Sequence, residues 1–310
     1  MKRRIIFGSL LGAAALIFLV VDLSKNNSFG LIVLLAGFTV AAMGELYGMA
    51  QRKGILALPR LGMFAGFVLL YGWWRILSDR AEPVKLGVGS FELALGRPPP
   101  GRGNELLLLL ALCMGVFVLV CLFRKKGEKE ITGLAFTVFG FFYIAFLSGF
   151  ILETRFLRLT NDVWPGRTPW VGAYLVLLLL ITTKMTDVFG YLVGSRIGKR
   201  RIAPHISPKK SVEGLAAGIA GSIIAAVIFT SFTRLDPVFT IWQAALFGMV
   251  IAVVGQAGDL AESYIKRSLG SKDSSGLIPE FGGMLDLMDG VILAAPCGYA
   301  YFCWMGFGAG

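Results

Sequence analysis

The sequence predicts an all-α, polytopic integral membrane protein with about nine transmembrane helices. Hydrophobic residues make up 56% of the 310 residues and charged residues only 16%, whereas charged residues make up roughly 25% of an average soluble domain. Apolar runs near the length that a helix needs to cross the hydrocarbon core of a bilayer, about 20 residues, recur along the whole chain. This composition excludes a soluble globular domain.

The apolar segments behind that prediction run from one end of the sequence to the other. In the first half they are residues 5–21, 29–50, 61–77, 105–123 and 131–152. In the second half they are residues 170–193, 212–233, 238–255 and 291–307. The first segment follows Lys2, Arg3 and Arg4 and so begins like a secretory signal peptide, but no small-residue cleavage site follows before Asp22. We therefore expect an uncleaved first helix.

The net charge of +11 is distributed in a way that orients membrane proteins. If the N-terminus is cytoplasmic, the main clusters of Lys and Arg fall on the cytoplasmic side, which is the positive-inside pattern. These clusters lie at residues 2–4, 52–60, 124–129, 196–210 and 266–272. Orientation and contact with anionic lipids explain most of the basic charge, and no nucleic-acid partner is expected.

Polar residues enter the apolar segments mainly in the second half of the chain. We therefore predict two parts, with residues 1–160 forming lipid-facing scaffold helices and residues 161–310 carrying a catalytic site on the cytoplasmic side. Lys184 and Asp187 share one helix face within or at the edge of the membrane, where ionisable residues usually line a functional cavity. The alternatives are a plain ion pair that packs two helices, or a transporter, although transporters usually carry repeats in both halves.

A second polar segment, residues 263–290, reads SYIKRSLGSKDSSGLIPEFGGMLDLMDG. The residues leading into it look helical, which places Asp259, Glu262 or Ser263, and Lys266 along one stripe. A loop with several glycines follows, and its backbone N–H groups can approach an anion closely. The segment thus combines carboxylates, cations and an anion-binding loop.

Three carboxylates are predicted to meet at the cytoplasmic ends of two membrane helices. Asp286 and Asp289 share one face of the second helix, and Asp259 lies on the first. Such carboxylates repel each other unless a cation binds them, and Mg²⁺ suits a site with few carboxylates, retained waters and substrate phosphates. With the neighbouring lysines and arginines, this predicts phosphoryl or nucleotidyl transfer, in which metal and cations neutralise charge on the departing phosphate.

The motif of this segment resembles that of the phosphatidate cytidylyltransferases, also called CDP-diacylglycerol synthases. Their signature runs S-x-x-K-R, four residues, K-D, and then after a spacer P-x-H-G-G-x-x-D-R-x-D. Phe281 stands at the place of the family's histidine and Leu287 at that of its arginine. The matching residues are Ser263, Lys266, Arg267, Lys272, Asp273, Pro279, Gly282, Gly283, Asp286 and Asp289.

Two further stretches extend the resemblance. The family's D-x-x-A-Y-x-x-G and G-K-x-x-x-A-P-x-I-S-P-K-K-T-x-E-G are similar to residues 187–194 and 198–214, with Gly190 replacing alanine and Ser211 replacing threonine. The stretch GELYGMAQR around Glu45 is similar to an acidic-aromatic motif that the family carries on an early helix. The specific part of the resemblance covers residues 182–290.

The resemblance implies a metal-dependent enzyme of phospholipid biosynthesis. A phosphate oxygen of phosphatidate would attack the α-phosphorus of CTP, giving CDP-diacylglycerol and pyrophosphate. The implied partners are CTP, phosphatidate and membrane lipids, with a homodimer as an open option, and the implied location is a bacterial inner membrane with the site facing the cytoplasm. The alternative is a catalytically impaired family member that binds lipids or acts as a scaffold, because Phe281 and Leu287 depart from the signature.

Charge and position indicate roles for individual residues of the proposed site. Mg²⁺, with a second cation as an option, would be held by Asp259, Asp286 and Asp289, which with Lys266 form the implied catalytic set. Substrate contacts are implied for a further group of polar residues, namely Asp187, Lys209, Lys210, Ser263, Arg267 and Lys272. No covalent nucleophile is expected, because the lipid phosphate is itself an anion.

Overall fold

Helices form most of the protein. The computed structural model describes residues 28–81, 84–88, 91–95, 102–123, 127–159, 170–233, 235–236, 238–275 and 282–309. In chain order the helices are α1 (Phe29–Arg52), α2 (Pro59–Ala81), α3 (Arg102–Leu122), α4 (Glu128–Gly140), a π-helical segment (Phe141–Phe146), α5 (Leu147–Phe156), α6 (Val171–Ile197), α7 (Val212–Ser231), α8 (Ile241–Ser268) and α9 (Met284–Trp304).

Three short antiparallel strand pairs accompany the helices among the described residues. The pairs are β1 (Val84–Val88) with β2 (Phe91–Leu95), β3 (Leu157–Leu159) with β6 (Phe307–Ala309), and β4 (Arg201–Ala203) with β5 (Ser207–Ser211). The β4–β5 pair joins α6 to α7 and carries much of the basic cluster at residues 196–210.

The predicted class, an all-α polytopic membrane protein, is confirmed. Within the described residues, seven helical stretches are long and apolar enough to cross a membrane, with α4, the π-helical segment and α5 counting as one. The apolar part of α3, Glu105–Val120, is shorter, and the predicted segment 5–21 lies outside the described residues. The count of nine and the division at residue 160 remain predictions.

The predicted boundaries of the last two spans were wrong. The predicted span 238–255 corresponds to α8, which continues to Ser268, and the predicted span 291–307 corresponds to α9, which begins at Met284. The predicted spans stop where hydropathy falls at the polar residues. The backbone hydrogen bonding of both helices continues through those residues. Residues 263–268 and 284–290 of the polar segment therefore belong to α8 and α9.

Glycines allow the helices of the second half to approach closely. A side chain at Gly258 of α8 would place its Cβ 2.7 Å from the backbone oxygen of Asp289 on α9, and one at Gly290 would lie 3.2 Å from the oxygen of Gly255. A Cβ at Gly218 of α7 would lie 2.8 Å from the backbone oxygen of residue 186 on α6. Small residues at crossings are a general feature of membrane helix packing, and here they bring the polar extensions together.

The helices of the first half pack around buried aromatic residues and against α9. The Tyr47 hydroxyl of α1 donates a 2.7 Å hydrogen bond to the Thr137 carbonyl of α4, and the Trp73 indole of α2 donates to Glu153 of α5 at 2.8 Å. Helix α9 contacts both α1 and α5. Residues of the first half therefore reach the polar ends of α8 and α9.

Candidate active site

The centre of the site is an acidic cluster between α8 and α9. One carboxylate oxygen from each of Asp259, Glu262 and Asp289 lies within 4.8 Å of the others. Glu262 is only 1% exposed, and within the described residues its Oε1 has no hydrogen-bond partner. Its Oε2 forms an ion pair with Lys266, at 2.8 Å from Nζ. A compact set of hard oxygen donors, one of which is buried without a partner among the described residues, fits a divalent cation such as Mg²⁺.

Asp286 occupies a different place from the cluster. Its Oδ2 accepts hydrogen bonds from Gly283 N and Ser274 Oγ, both at 2.7 Å, and from Ser274 N at 3.3 Å. Its Oδ1 pairs with Lys266 Nζ. The carboxylate thus satisfies one backbone donor at the N-terminus of α9, where negative charge is favourable, and Lys266 links it to Glu262.

Glu45 of α1 holds the same helix end from the other side. It accepts hydrogen bonds from Met284 N and Leu285 N, both at 2.9 Å, and from Ser275 Oγ at 2.6 Å. The Ser274 hydroxyl lies 2.9 Å from Glu45 Oε2, and its single proton serves either Glu45 or Asp286. Because Glu45 is buried, this contact ties the first described helix to the start of α9.

Two lysines from the second half approach the acidic residues. Lys210 of β5 pairs with Asp259 Oδ2. Lys184 of α6 lies 3.5 Å from Asp187 Oδ2 and donates a 2.9 Å hydrogen bond to the carbonyl of Leu287. The arrangement alternates positive and negative groups, as expected of a site that binds phosphates together with a cation.

The comparison with known proteins decides the family. Residues 2–305 match the sequence profile of the cytidylyltransferase family. The chain belongs to this family. The phosphatidate cytidylyltransferase of Bacillus subtilis is 30% identical over 303 residues, which cover 97% of each chain. That of Staphylococcus saprophyticus is 26% identical over 284 residues, which cover 91% of this chain and 94% of the relative.

A shorter match has a higher identity. The phosphatidate cytidylyltransferase of Chlamydia trachomatis is 43% identical over 179 residues, 57% of this chain. The match spans about half of that relative's length, 56%. The resemblance stated from the motifs is confirmed at the level of the cytidylyltransferase family.

The remaining predicted site residues of this cytidylyltransferase-family chain differ in their distance from the cluster and in their exposure to solvent. Ser263 Oγ lies 3.5 Å from Asp259 Oδ1, and Gln256 donates a 3.2 Å hydrogen bond to Asp187 Oδ1. The structure therefore brings Asp187, Lys210 and Ser263 to the cluster or its neighbours. It leaves three more peripheral cations exposed, namely Lys209, Arg267 and Lys272.

Of the two residues that differ from the family signature, the structure describes Leu287 and not Phe281. Leu287 is partly buried and packs against the hydrophobic core, while its backbone carbonyl accepts the bond from Lys184. Phe281 and Pro279 lie outside the described residues. Lys184 thus brings a cation to the backbone of residue 287, the position of the family's arginine.

Sequence reasoning did not select three polar residues that the structure places in the site. Glu262 lies on the predicted stripe, but a carboxylate four residues before a lysine is also an ordinary surface pair. Gln256 extends that stripe and carries no charge to mark it. Ser274 lies in the loop before α9, and its contacts with Glu45 and Asp286 depend on tertiary structure.

Proposed function

We propose that the protein transfers the cytidylyl group of CTP to phosphatidate, giving CDP-diacylglycerol and pyrophosphate. A phosphate oxygen of phosphatidate forms a bond to the α-phosphorus of CTP while the bond from that phosphorus to the β-phosphate bridging oxygen breaks. The observation that carries the proposal is the acidic cluster between α8 and α9, flanked by Lys266 and Lys210. Family membership and the activity for which the relatives are named support it.

The cluster suits a divalent cation, for which Mg²⁺ is the proposed identity. Asp259, Glu262 and Asp289 would hold it, since their oxygens converge. The sequence-based ligand set contains Asp286 in place of Glu262, and that set stays a prediction together with a second cation. The chemistry that Mg²⁺ supplies when bound is neutralisation of charge on phosphate oxygens.

The chain's own cations have complementary roles. Lys266 is held between Glu262 and Asp286, so its ammonium group has a fixed position next to the cluster and can bind a phosphate oxygen there. Lys210 is positioned in the same way by Asp259. Long-range electrostatics would attract CTP from solution, through the exposed Lys209, Arg267 and Lys272.

The proposed location follows from the substrate's two parts. Phosphatidate keeps its acyl chains in the bilayer, whereas CTP is water-soluble, so the reaction requires a site at the boundary. The polar ends of α8 and α9 are continuous with membrane-crossing helices and meet that requirement. We propose a bacterial inner membrane, with the N-terminus and site facing the cytoplasm; a homodimer stays an open option.

The second candidate function is that of an impaired family member that binds lipids, favoured by Leu287 at the arginine position.

The experiment that separates the two candidates uses CTP labelled at its α-phosphate. It measures transfer of the label into lipid by the purified protein, with phosphatidate or with diacylglycerol as acceptor. We expect label in lipid only with phosphatidate. Binding of phosphatidate without transfer, while a relative is active under the same conditions, would support the second candidate.

A further inference from the structure

Ser274 lies in the segment before α9, between two carboxylates that hold the start of that helix. Its hydroxyl oxygen lies 2.7 Å from Asp286 Oδ2 and 2.9 Å from Glu45 Oε2. The residue is fully buried. A Cβ at Gly283 would overlap both this hydroxyl and the Glu45 carboxylate. The hydroxyl therefore lies in a closely packed place, away from solvent.

The first N–H groups of α9 are satisfied without this hydroxyl. Gly283 N donates to Asp286 Oδ2 at 2.7 Å, and Met284 N and Leu285 N each donate to Glu45 at 2.9 Å. These N–H groups have no partner within their own helix, and here the two carboxylates provide one. Capping of α9 thus requires the carboxylates, and the serine hydroxyl must contribute something else.

The hydroxyl acts on the carboxylate that pairs with Lys266. Asp286 uses Oδ2 for Ser274 and Oδ1 for the Lys266 ammonium group. The same ammonium group lies 2.8 Å from Glu262 Oε2 in the acidic cluster. A carboxylate is a rigid planar group, so a bond that anchors Oδ2 also fixes the direction of Oδ1. The position of the ammonium group next to the cluster therefore depends on what anchors Asp286.

We propose that Ser274 is a positioning residue, which fixes Asp286 and thereby holds the Lys266 ammonium group where it binds a substrate phosphate. The inference rests on the proposed function, in which Lys266 binds a phosphate oxygen. The Ser274 hydroxyl acts through Asp286 and does not itself contact the substrate. A hydroxyl is neutral, so it orients the carboxylate and leaves its full charge available for the ion pair. Partners of this kind give functional groups their precise placement.

The test compares Ser274→Ala with Ser275→Ala, because each removes one serine hydroxyl beside Glu45. The Ser275 hydroxyl donates its single proton to Glu45 Oε1, at 2.6 Å. Pyrophosphate release is measured in detergent with Mg²⁺, at varied CTP and at varied phosphatidate. We expect Ser274→Ala to lower kcat/KM about tenfold, the effect of losing a hydrogen bond to a charged group. We expect Ser275→Ala to keep the wild-type kcat/KM.

A second variant covers the case in which the alanine at position 274 prevents folding. Ser274→Cys fills the position, but its thiol is only a weak donor, so it should lower kcat/KM in the same direction. The two substrates show which phosphate the ammonium group binds. A rise in KM for CTP alone identifies the nucleotide, and a rise for phosphatidate alone identifies the lipid. Either result supports the inference.

A double-mutant cycle with Lys266→Met separates positioning from a structural role. Without the ammonium group, Ser274→Ala has nothing to misplace and should cause no further loss in kcat/KM. A structural role would give the same loss in both backgrounds. If release by Lys266→Met is too slow to measure, the cycle uses the CTP concentration that gives half-maximal thermal stabilisation at fixed Mg²⁺.

Either of two results would overturn the inference and leave the proposed function intact. One is equal kcat/KM for Ser274→Ala and Ser275→Ala. The other is an equal effect of Ser274→Ala with and without the Lys266 ammonium group. A wild-type protein that releases no pyrophosphate and is not stabilised by CTP would overturn the proposed function, and this inference with it.

Discussion

At the residue scale, Lys266 is the side chain that joins the two acidic parts of the site. Its ammonium group pairs with Glu262 in the cluster and with Asp286 at the start of α9. Buried carboxylates need such partners, because an unpaired buried charge is costly. The spacing of Glu262 and Lys266 is visible in the sequence, but the same spacing occurs on many exposed helices. Burial of Glu262, which the sequence does not show, distinguishes this pair.

Lys184 is expected to compensate for the missing arginine at position 287. It bonds to the Leu287 carbonyl at 2.9 Å, and so brings a cation to the backbone where the family carries a guanidinium. We predict that Lys184→Met lowers kcat/KM for CTP about tenfold, the effect of losing one charged hydrogen bond. Pyrophosphate release at varied CTP measures this change.

A second substitution tests the compensation itself. Leu287→Arg introduced together with Lys184→Met should recover most of the lost kcat/KM, because a guanidinium binds phosphate oxygens well. Lys129→Met, a change to an exposed cation on α4, serves as the matched control and should leave kcat/KM unchanged. Full activity of Lys184→Met would show that Lys184 does not replace the arginine.

At the element scale, the crossing of α8 and α9 determines the geometry of the cluster. Gly258 and Gly290 permit the two backbones to meet where Asp259 and Asp289 project. The motif spacing placed the aspartates on helices correctly. Hydropathy did not show that both helices continue through the polar residues, because hydropathy measures preference for lipid and not backbone hydrogen bonding. The predicted spans therefore ended too early on α8 and began too late on α9.

Enlarging Gly258 should separate the carboxylates. A Cβ there would lie 2.7 Å from the Asp289 carbonyl oxygen, so we predict that Gly258→Ala moves the helices apart and weakens Mg²⁺ binding at least about tenfold. Mg²⁺ requires ligand oxygens at well-defined distances. The measurement is the Mg²⁺ concentration that gives half-maximal thermal stabilisation.

A glycine on another helix provides the control for that change. At Gly48 of α1, no atom from another described part of the chain lies within 4 Å of the position that a Cβ would take. Gly48→Ala should therefore keep wild-type Mg²⁺ binding. Equal Mg²⁺ binding by Gly258→Ala and Gly48→Ala would refute the importance of the close crossing.

At the scale of the whole molecule, the first half of the chain supports the site in the second half. The sequence indicated the fold class through its composition, and its motif indicated the aspartates and lysines of the site. The motif around Glu45 pointed to this residue, but the sequence did not show its contacts. These contacts are with residues that lie between 229 and 240 positions further along the chain. Such contacts depend on how the helices assemble. Periodicity along one helix carries no information about them.

We expect Glu45→Gln on α1 to weaken the hydrogen bonds that hold the start of α9. The amide replaces one acceptor oxygen with a donor, so at least one of the Ser275, Met284 and Leu285 donors loses its partner. We predict a loss of about 1–3 kcal/mol in the free energy of unfolding, the usual effect of an unsatisfied buried group. Chemical unfolding in detergent measures this loss.

An exposed glutamate provides the comparison for Glu45. Glu128 lies in the first turn of α4 and is exposed, so Glu128→Gln should change the free energy of unfolding by no more than about 0.5 kcal/mol. Equal stability of the Glu45 and Glu128 variants would show that the contacts to α9 do not stabilise the fold.

The acidic cluster as a catalytic centre is tested most directly by pyrophosphate release from CTP in the presence of phosphatidate and Mg²⁺. The comparison is between Asp289→Asn in the cluster and Asp236→Asn, which changes an exposed aspartate between α7 and α8. We predict that Asp236→Asn retains wild-type release and that Asp289→Asn loses about a hundredfold or more, since even indirect partners of metal ligands contribute about 10–100-fold. Equal release by both variants would contradict the assignment of the cluster as the active site.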